Sequence, residues 1–191
     1  MKKAIHSEAA VQFKERKAFQ EVVEWLEAIV FSLVLVVLLF TFVFRIVGVD
    51  GNSMLPTLHG GDRVIISSFN YHPQNGDIVV VTQPNSLNKP LIKRVIASEY
   101  QTIDIDFESG VVTVDGQVLQ EDYILETMTA KGQGDVDFPL TVPEGKVFVM
   151  GDNRNDSLDS RYQMVGLIDE RYLLGKAVFR IYPFNDFGKV S

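Results

Sequence analysis

The chain has 191 residues and no cysteine, which excludes disulfides, thiol catalysis and thiolate metal sites. Hydrophobic residues make up 46% of it, enough to bury a sizeable core beside one membrane anchor. The formal charge of -7 is uneven: residues 1–45 carry six Lys/Arg against five Asp/Glu and residues 46–191 twelve against twenty, so the acidic body argues against a nucleic-acid partner, which needs clustered Lys/Arg.

In chain order, residues 7–27 place Val11, Ala18, Phe19, Val22, Val23 and Leu26 near helical spacing and predict a cytoplasmic helix running into the membrane. Residues 28–44 then form a seventeen-residue run without a charge. A spanning helix needs roughly 17–25 such residues. Trp25 and Leu26 extend the run at one end, Ile46 and Val47 at the other, and Trp25 and Arg45 have the character of interfacial anchors. The run is too uniformly apolar for a one-faced core helix. It is too long, with too mixed a leader and no A-x-A after it, for a cleaved signal peptide. A retained anchor over 28–46 is expected. Lys2, Lys3, Lys14, Arg16 and Lys17 precede it, and only Arg45 and Arg63 follow within twenty residues. The positive-inside rule then predicts a cytoplasmic N-terminus (residues 1–27) and an extracytoplasmic body at the cell membrane.

The body reads as short β-strands separated by Gly, Pro and Asn/Asp turns. Strands are predicted over 63–67, 77–82, 91–97, 102–107, 111–114, 146–150 and 176–182. Residues 102–107 alternate as a half-buried strand should. Residues 121–143 are acidic, Gly-rich and weakly patterned, and read as a loop or small insertion. The expected fold class is mainly β: an antiparallel catalytic domain over 47–98 and 143–191, a smaller β/loop insertion over 99–142, and an N-terminal transmembrane helix before both.

Cofactor motifs are missing. Each Gly-Lys pair (Gly145-Lys146, Gly175-Lys176, Gly188-Lys189) lacks the following Ser/Thr of a phosphate loop. There is no H-E-x-x-H, and His6, His59 and His72 do not cluster. Asp152-Asn153-Arg154-Asn155-Asp156 has an arginine where a calcium loop needs an oxygen ligand. No cofactor and no metal are expected.

Three segments remain: Gly51-Asn52-Ser53-Met54-Leu55-Pro56-Thr57-Leu58, Leu91-Ile92-Lys93-Arg94-Val95-Ile96, and Gly151-Asp152-Asn153-Arg154-Asn155-Asp156-Ser157-Leu158-Asp159-Ser160-Arg161. Taken singly, each has a bland reading: a turn serine, a solvated charge on an edge strand, a polar loop with internal ion pairs. Taken together, and in this order after an apolar anchor, they resemble the type I signal peptidase family over nearly the whole body. Some positions depart from the family pattern. Ala97 stands for the usual Gly, Ser98-Glu99-Tyr100 for the P-G-D turn, and Asn155-Asp156 for the common D-N order.

The resemblance implies a serine endopeptidase with Ser53 as nucleophile and Lys93 as general base. A serine hydroxyl needs a base to take its proton. A lysine at its ordinary pKa of about 10.4 cannot serve, whereas burial lowers that value by up to about 3–5 units. The resemblance also gives Ser157 a supporting role, its hydroxyl bonding the lysine amine. It makes Asp159 and Arg161 an ion pair holding the third segment, with Asp152 and Arg154 as further scaffold. The Ser53 backbone N–H is the natural oxyanion donor. Some members add a hydroxyl two residues earlier, where this chain has Gly51, which instead lets substrate approach closely. The implied partners are secreted preproteins ending their signal peptides in small residues, and the phospholipid membrane. Met54, Val64, Ile78, Ile92 and Val95 are candidates for a shallow pocket that rejects larger side chains. Rival readings are a non-catalytic assembly factor on the same fold, a self-cleaving Ser-Lys regulator, and a plain membrane-anchored β scaffold. The Ser53–Lys93 pair, the anchor with its acidic body, and the long third segment respectively count against them.

Overall fold

A computed structural model describes residues 2–82, 89–129 and 132–190, without the side chains of residues 2–15, 18 and 42. The charges of Lys2, Lys3 and Lys14 and the Val11 and Ala18 side chains of the leader therefore lie outside the described residues. Two compact units are present, Met1–Val43 and Phe44–Ser191.

The first unit is one helix, α1 (Lys2–Phe42). Its stretch Phe19–Thr41 is long and apolar enough to cross a bilayer core. Its two hydroxyls are satisfied locally: Ser32 Oγ donates to the Ala28 carbonyl and Thr41 Oγ1 to that of Val37, each at 2.7 Å.

The helix stops short of the expected anchor end at residue 46. Phe44–Gly48 is strand β1 of the second unit, paired antiparallel with β2 (Arg63–Ser67), Phe44 opposite Ser67 and Gly48 opposite Arg63. Ile46 and Val47 favour this state because they are β-branched, and β2 supplies the hydrogen bonds that a continued helix would have made internally. Arg45 accordingly sits in a sheet, opposite Ile66.

The remaining strands are β3 (Ile78–Val81), β4 (Leu91–Ala97), β5 (Thr102–Asp106), β6 (Val111–Val114), β7 (Gln117–Val118), β8 (Leu140–Thr141), β9 (Lys146–Met150), β10 (Ile168–Asp169), β11 (Leu173–Tyr182) and β12 (Gly188–Lys189). One sheet runs β1-β2-β11-β3-β4-β9-β10, with β12 added to β11, and the other runs β7-β6-β5-β8. All these pairs are antiparallel. The fold is mainly β, behind an N-terminal apolar helix.

The larger sheet is buried on both faces where the third and fourth strands lie. Ile78 and Val80 pack on one side with Met54, Leu58 and Val64, while Val79 and Val81 pack on the other with Val95 and Val149. Such strands read as continuous apolar runs, and β3 does. A register shift between Val95 and Ala97 breaks the alternation of β4. Ile96 and Ala97, neighbours in sequence, therefore both enter the core shared with the smaller sheet, beside Ile103, Val112 and Phe148. The two sheets are thus parts of one compact unit rather than separate lobes. Burial on both faces also fixes the fate of Lys93 and Arg94: each is 3% exposed, so neither is a solvated edge charge.

Candidate active site

Ser53 lies in a tight loop directly after β1. Gly51 there has φ +82°, a conformation that L side chains avoid, and a Cβ at this position would face open space. Leu55 N–H donates to the Asn52 carbonyl and Leu58 N–H to that of Met54, winding the segment into a turn. Met54 and Leu58, 2% and 0% exposed, pin that turn into the core. The same periodicity leaves Ser53 half-buried at the surface of the turn. Its carbonyl accepts from Asn153 N–H at 3.0 Å, while the Asn153 amide donates to the Asn52 carbonyl at 3.2 Å. Its own N–H makes no hydrogen bond among the described residues, so it is free to donate to an incoming oxygen.

Strand β4 brings Lys93 to this loop. Its Nζ lies 2.6 Å from Ser53 Oγ and 3.0 Å from the Ile92 carbonyl. Burial pushes its pKa down to about 8, against the opposing pull of Asp159 and Asp152, with Arg161 reinforcing the drop. The neighbouring charges are paired elsewhere, which is why burial prevails. Arg94 forks onto Asp152, Nε to Oδ1 at 2.8 Å and Nη2 to Oδ2 at 2.7 Å, and its Nη1 reaches the Gly76 carbonyl at 2.8 Å. Thr57 Oγ1 donates to the same carboxylate, so Asp152 ties the nucleophile loop to β4. Arg161 forks onto Asp159 with both bonds at 2.8 Å, and neither side chain is exposed. Burial alone would raise the Asp159 pKa, but Arg161, Ser157 and the Gly151 N–H hold it below the usual carboxylate range. Arg154 pairs with Glu121 at 2.5 and 2.9 Å, which outweighs its burial and raises its pKa. No metal-ligating group of three His, Asp or Glu side chains occurs among the described residues.

Two placements differ from the sequence reading. The hydroxyl of Ser157 donates to Asp159 Oδ2 at 2.6 Å and does not bond Lys93. The buried carboxylate is the stronger acceptor, because an ionised partner makes the shorter and stronger bond. The cleft beside Ser53, about 220 Å³, is lined by Met54 and Ile92 together with Val47, Val49, Val80 and Leu91. Val64, Ile78 and Val95 do not line it and pack in the core instead. Val47 and Val49 were legible only by recognising that β1 leaves the helix and borders the site. Beside the cleft, β4 is paired on one side only over residues 91–93, since β9 pairs with it from Arg94 onward. Among the described residues this leaves the β9 side of that stretch without a strand partner, open to an extended chain.

Residues 22–182 match the family described as "Signal peptidase, peptidase S26". The chain belongs to this family. It is 39% identical over 183 residues to the probable signal peptidase I-1 of Synechocystis sp., covering 91% of this chain and 89% of that protein. It is 36% identical over 177 residues to signal peptidase I of Bacillus licheniformis, covering 88% and 92%. A crystal structure of a signal peptidase I from Enterococcus faecalis V583, 30% identical, superposes with a TM-score of 0.45 over 56% of this chain and 97% of that one. As a family member the chain is a serine endopeptidase, a hydrolase that removes signal peptides.

Replacing Asp152 by Ala strands the buried Arg94 guanidinium. Unfolding in urea should show a loss of about 3–5 kcal/mol. A loss below about 1 kcal/mol would mean that water or another acid already compensates Arg94.

Proposed function

We propose that this signal peptidase is a membrane-anchored enzyme with a Ser53–Lys93 dyad that cleaves secreted preproteins after small residues. The observation that carries this reading is the 2.6 Å separation of Lys93 Nζ and Ser53 Oγ, with the lysine 3% exposed. At pH 7 a lysine of pKa about 8 is neutral about a tenth of the time, against a few parts in ten thousand at its ordinary value. The neutral amine accepts the Ser53 hydroxyl proton as Oγ attacks the scissile carbonyl. The Ser53 N–H donates to the oxyanion that forms. The Lys93 ammonium then returns its proton to the leaving amine. Water, deprotonated by Lys93 in turn, hydrolyses the acyl-enzyme.

The preprotein would lie extended along the unpaired edge of β4 over residues 91–93, passing the open face of Gly51. A side chain projecting into the cleft meets the apolar Val47, Met54, Val80 and Ile92, and the preference for a small one rests on the family resemblance. Asp152, Arg154, Asp159 and Arg161 act as scaffold. Ser157 acts through Asp159. The apolar stretch Phe19–Thr41 is the proposed anchor, with the leader, which holds five Lys/Arg, cytoplasmic and the body extracytoplasmic.

The full chain in detergent with phospholipid, given a preprotein, should make one cut after a small residue, read by product mass. Ser53→Ala and Lys93→Met should each lower kcat/KM by at least about a thousandfold while unfolding normally. Retained activity in either variant would end the dyad reading. In the wild type, kcat/KM should fall about tenfold per pH unit below a midpoint near 8, because only the deprotonated amine is competent. A midpoint near the ordinary lysine value of about 10.4 would show that burial does not tune Lys93.

A further inference from the structure

The weakly patterned segment after β7 lies along the third motif. Leu125 N–H donates to the Asp152 carbonyl at 3.1 Å. Asn155 holds the segment from the other side: its Oδ1 accepts from Thr129 N–H and Oγ1, and its Nδ2 donates to Glu126 Oε1 and the Thr127 carbonyl. The amide needs both donor and acceptor ends here, which gives a local reason for asparagine at the position where the motif departs from the common order. Further on, a Cβ at Gly132 or Gly134 would collide with the backbone of Arg154 or Arg161, so the two stretches touch main chain to main chain.

Two side chains of this segment reach the arginines of the site. The Arg94 guanidinium lies over the Tyr123 ring, 3.9 Å from its centroid, and Arg154 approaches the same ring at 5.9 Å. The Tyr123 hydroxyl donates to Glu121 Oε1 at 3.2 Å, and Glu121 pairs with Arg154. Arg94, Tyr123, Glu121 and Arg154 thus form one closed clamp. Arg94 is the residue after Lys93 and points to the other face of the strand. Arg154 Nε donates to the Gly151 carbonyl at 3.1 Å, and the Gly151 N–H donates to Asp159.

We propose that Tyr123 and Glu121 are positioning residues of the active site: they lock Arg94 and Arg154, and through them fix the direction of Lys93 and the loop that grips Ser53. The inference rests on the Ser53–Lys93 reading. The clamp also covers the Arg94 face of β4, keeping water from the strand that carries the base. Lys93 itself is faced by Asp159, Arg161 and Asp152, and the Tyr123 hydroxyl bonds Glu121 rather than any of these. A change at residue 123 therefore reaches Lys93 through position and hydration, without removing a charge beside it.

The test compares Tyr123→Leu, Tyr123→Met and Tyr123→Phe in the full chain, in detergent with phospholipid, on a preprotein, across pH. Leu and Met remove the ring, and Met fills the space if the Leu variant does not fold. The expected result is a kcat about tenfold lower with KM within about twofold, and an acid-limb midpoint raised by about half a unit or more as water reaches the strand. Phe keeps the ring over Arg94 and should hold the wild-type midpoint. A ring-less variant with reduced activity but an unmoved midpoint, or a Phe variant that behaves like Leu, overturns the proposal. The Ser53→Ala control separates the two questions. If it stays active the dyad reading fails, and if it is inactive while the Tyr123 variants do not shift, only the clamp fails.

Discussion

Everything at this site depends on keeping one amine out of water without giving it a counter-ion. A buried ammonium is expensive, and it either finds an acid or sheds its proton. Lys93 has acids nearby, but each already holds an arginine: Asp152 has Arg94 and Asp159 has Arg161. Arginine keeps its proton and forks onto a carboxylate, so it holds these acids better than a lysine could. The amine is left with two neutral oxygens, those of Ser53 and Ile92. Among the described residues no buried side-chain nitrogen or oxygen lacks a partner, so the arrangement carries no orphan that would draw the proton back.

The same pairs also build the loops. Asp152 gathers Arg94 and Thr57, and Asn153 grips the carbonyls of Asn52 and Ser53. The nucleophile loop, the base strand and the third motif therefore move as one body. Removing a single ion-pair partner leaves a buried charge uncompensated and disturbs the geometry of all three. Replacing Gly151 would do the same by direct collision, because a Cβ there would run into the Ser53 carbonyl and the Ser157 hydroxyl.

Local patterns made part of this legible. The apolar run announces the helix and the β-branched runs announce β2, β3, β4 and β9, while Ser53 and Lys93 are singled out only by the family resemblance that the three segments carry together. What stayed hidden is what long-range contact decides. Arg94 meets Asp152 across 58 positions and Arg154 meets Glu121 across 33, distances over which spacing carries no signal. Tyr123 sits in a segment with no periodicity because it packs on polar side chains rather than on an apolar face. Val64, Ile78 and Val95 match the composition of a pocket wall, but they pack away from the cleft, while Val80 on the same sheet borders it. Val47 and Val49 took their place once β1 paired with β2. The partner of the Ser157 hydroxyl is likewise decided by geometry, which gives it to Asp159.

The most direct test of the account is to watch the Lys93 amine itself titrate. The chain would carry isotope-labelled lysine, in detergent with phospholipid, with the Lys93 signal assigned by its loss in Lys93→Met. The account predicts a midpoint near 8, separate from the other lysines. A midpoint with the bulk at about 10.4 would contradict it, because a charged Lys93 could not take the Ser53 proton at neutral pH.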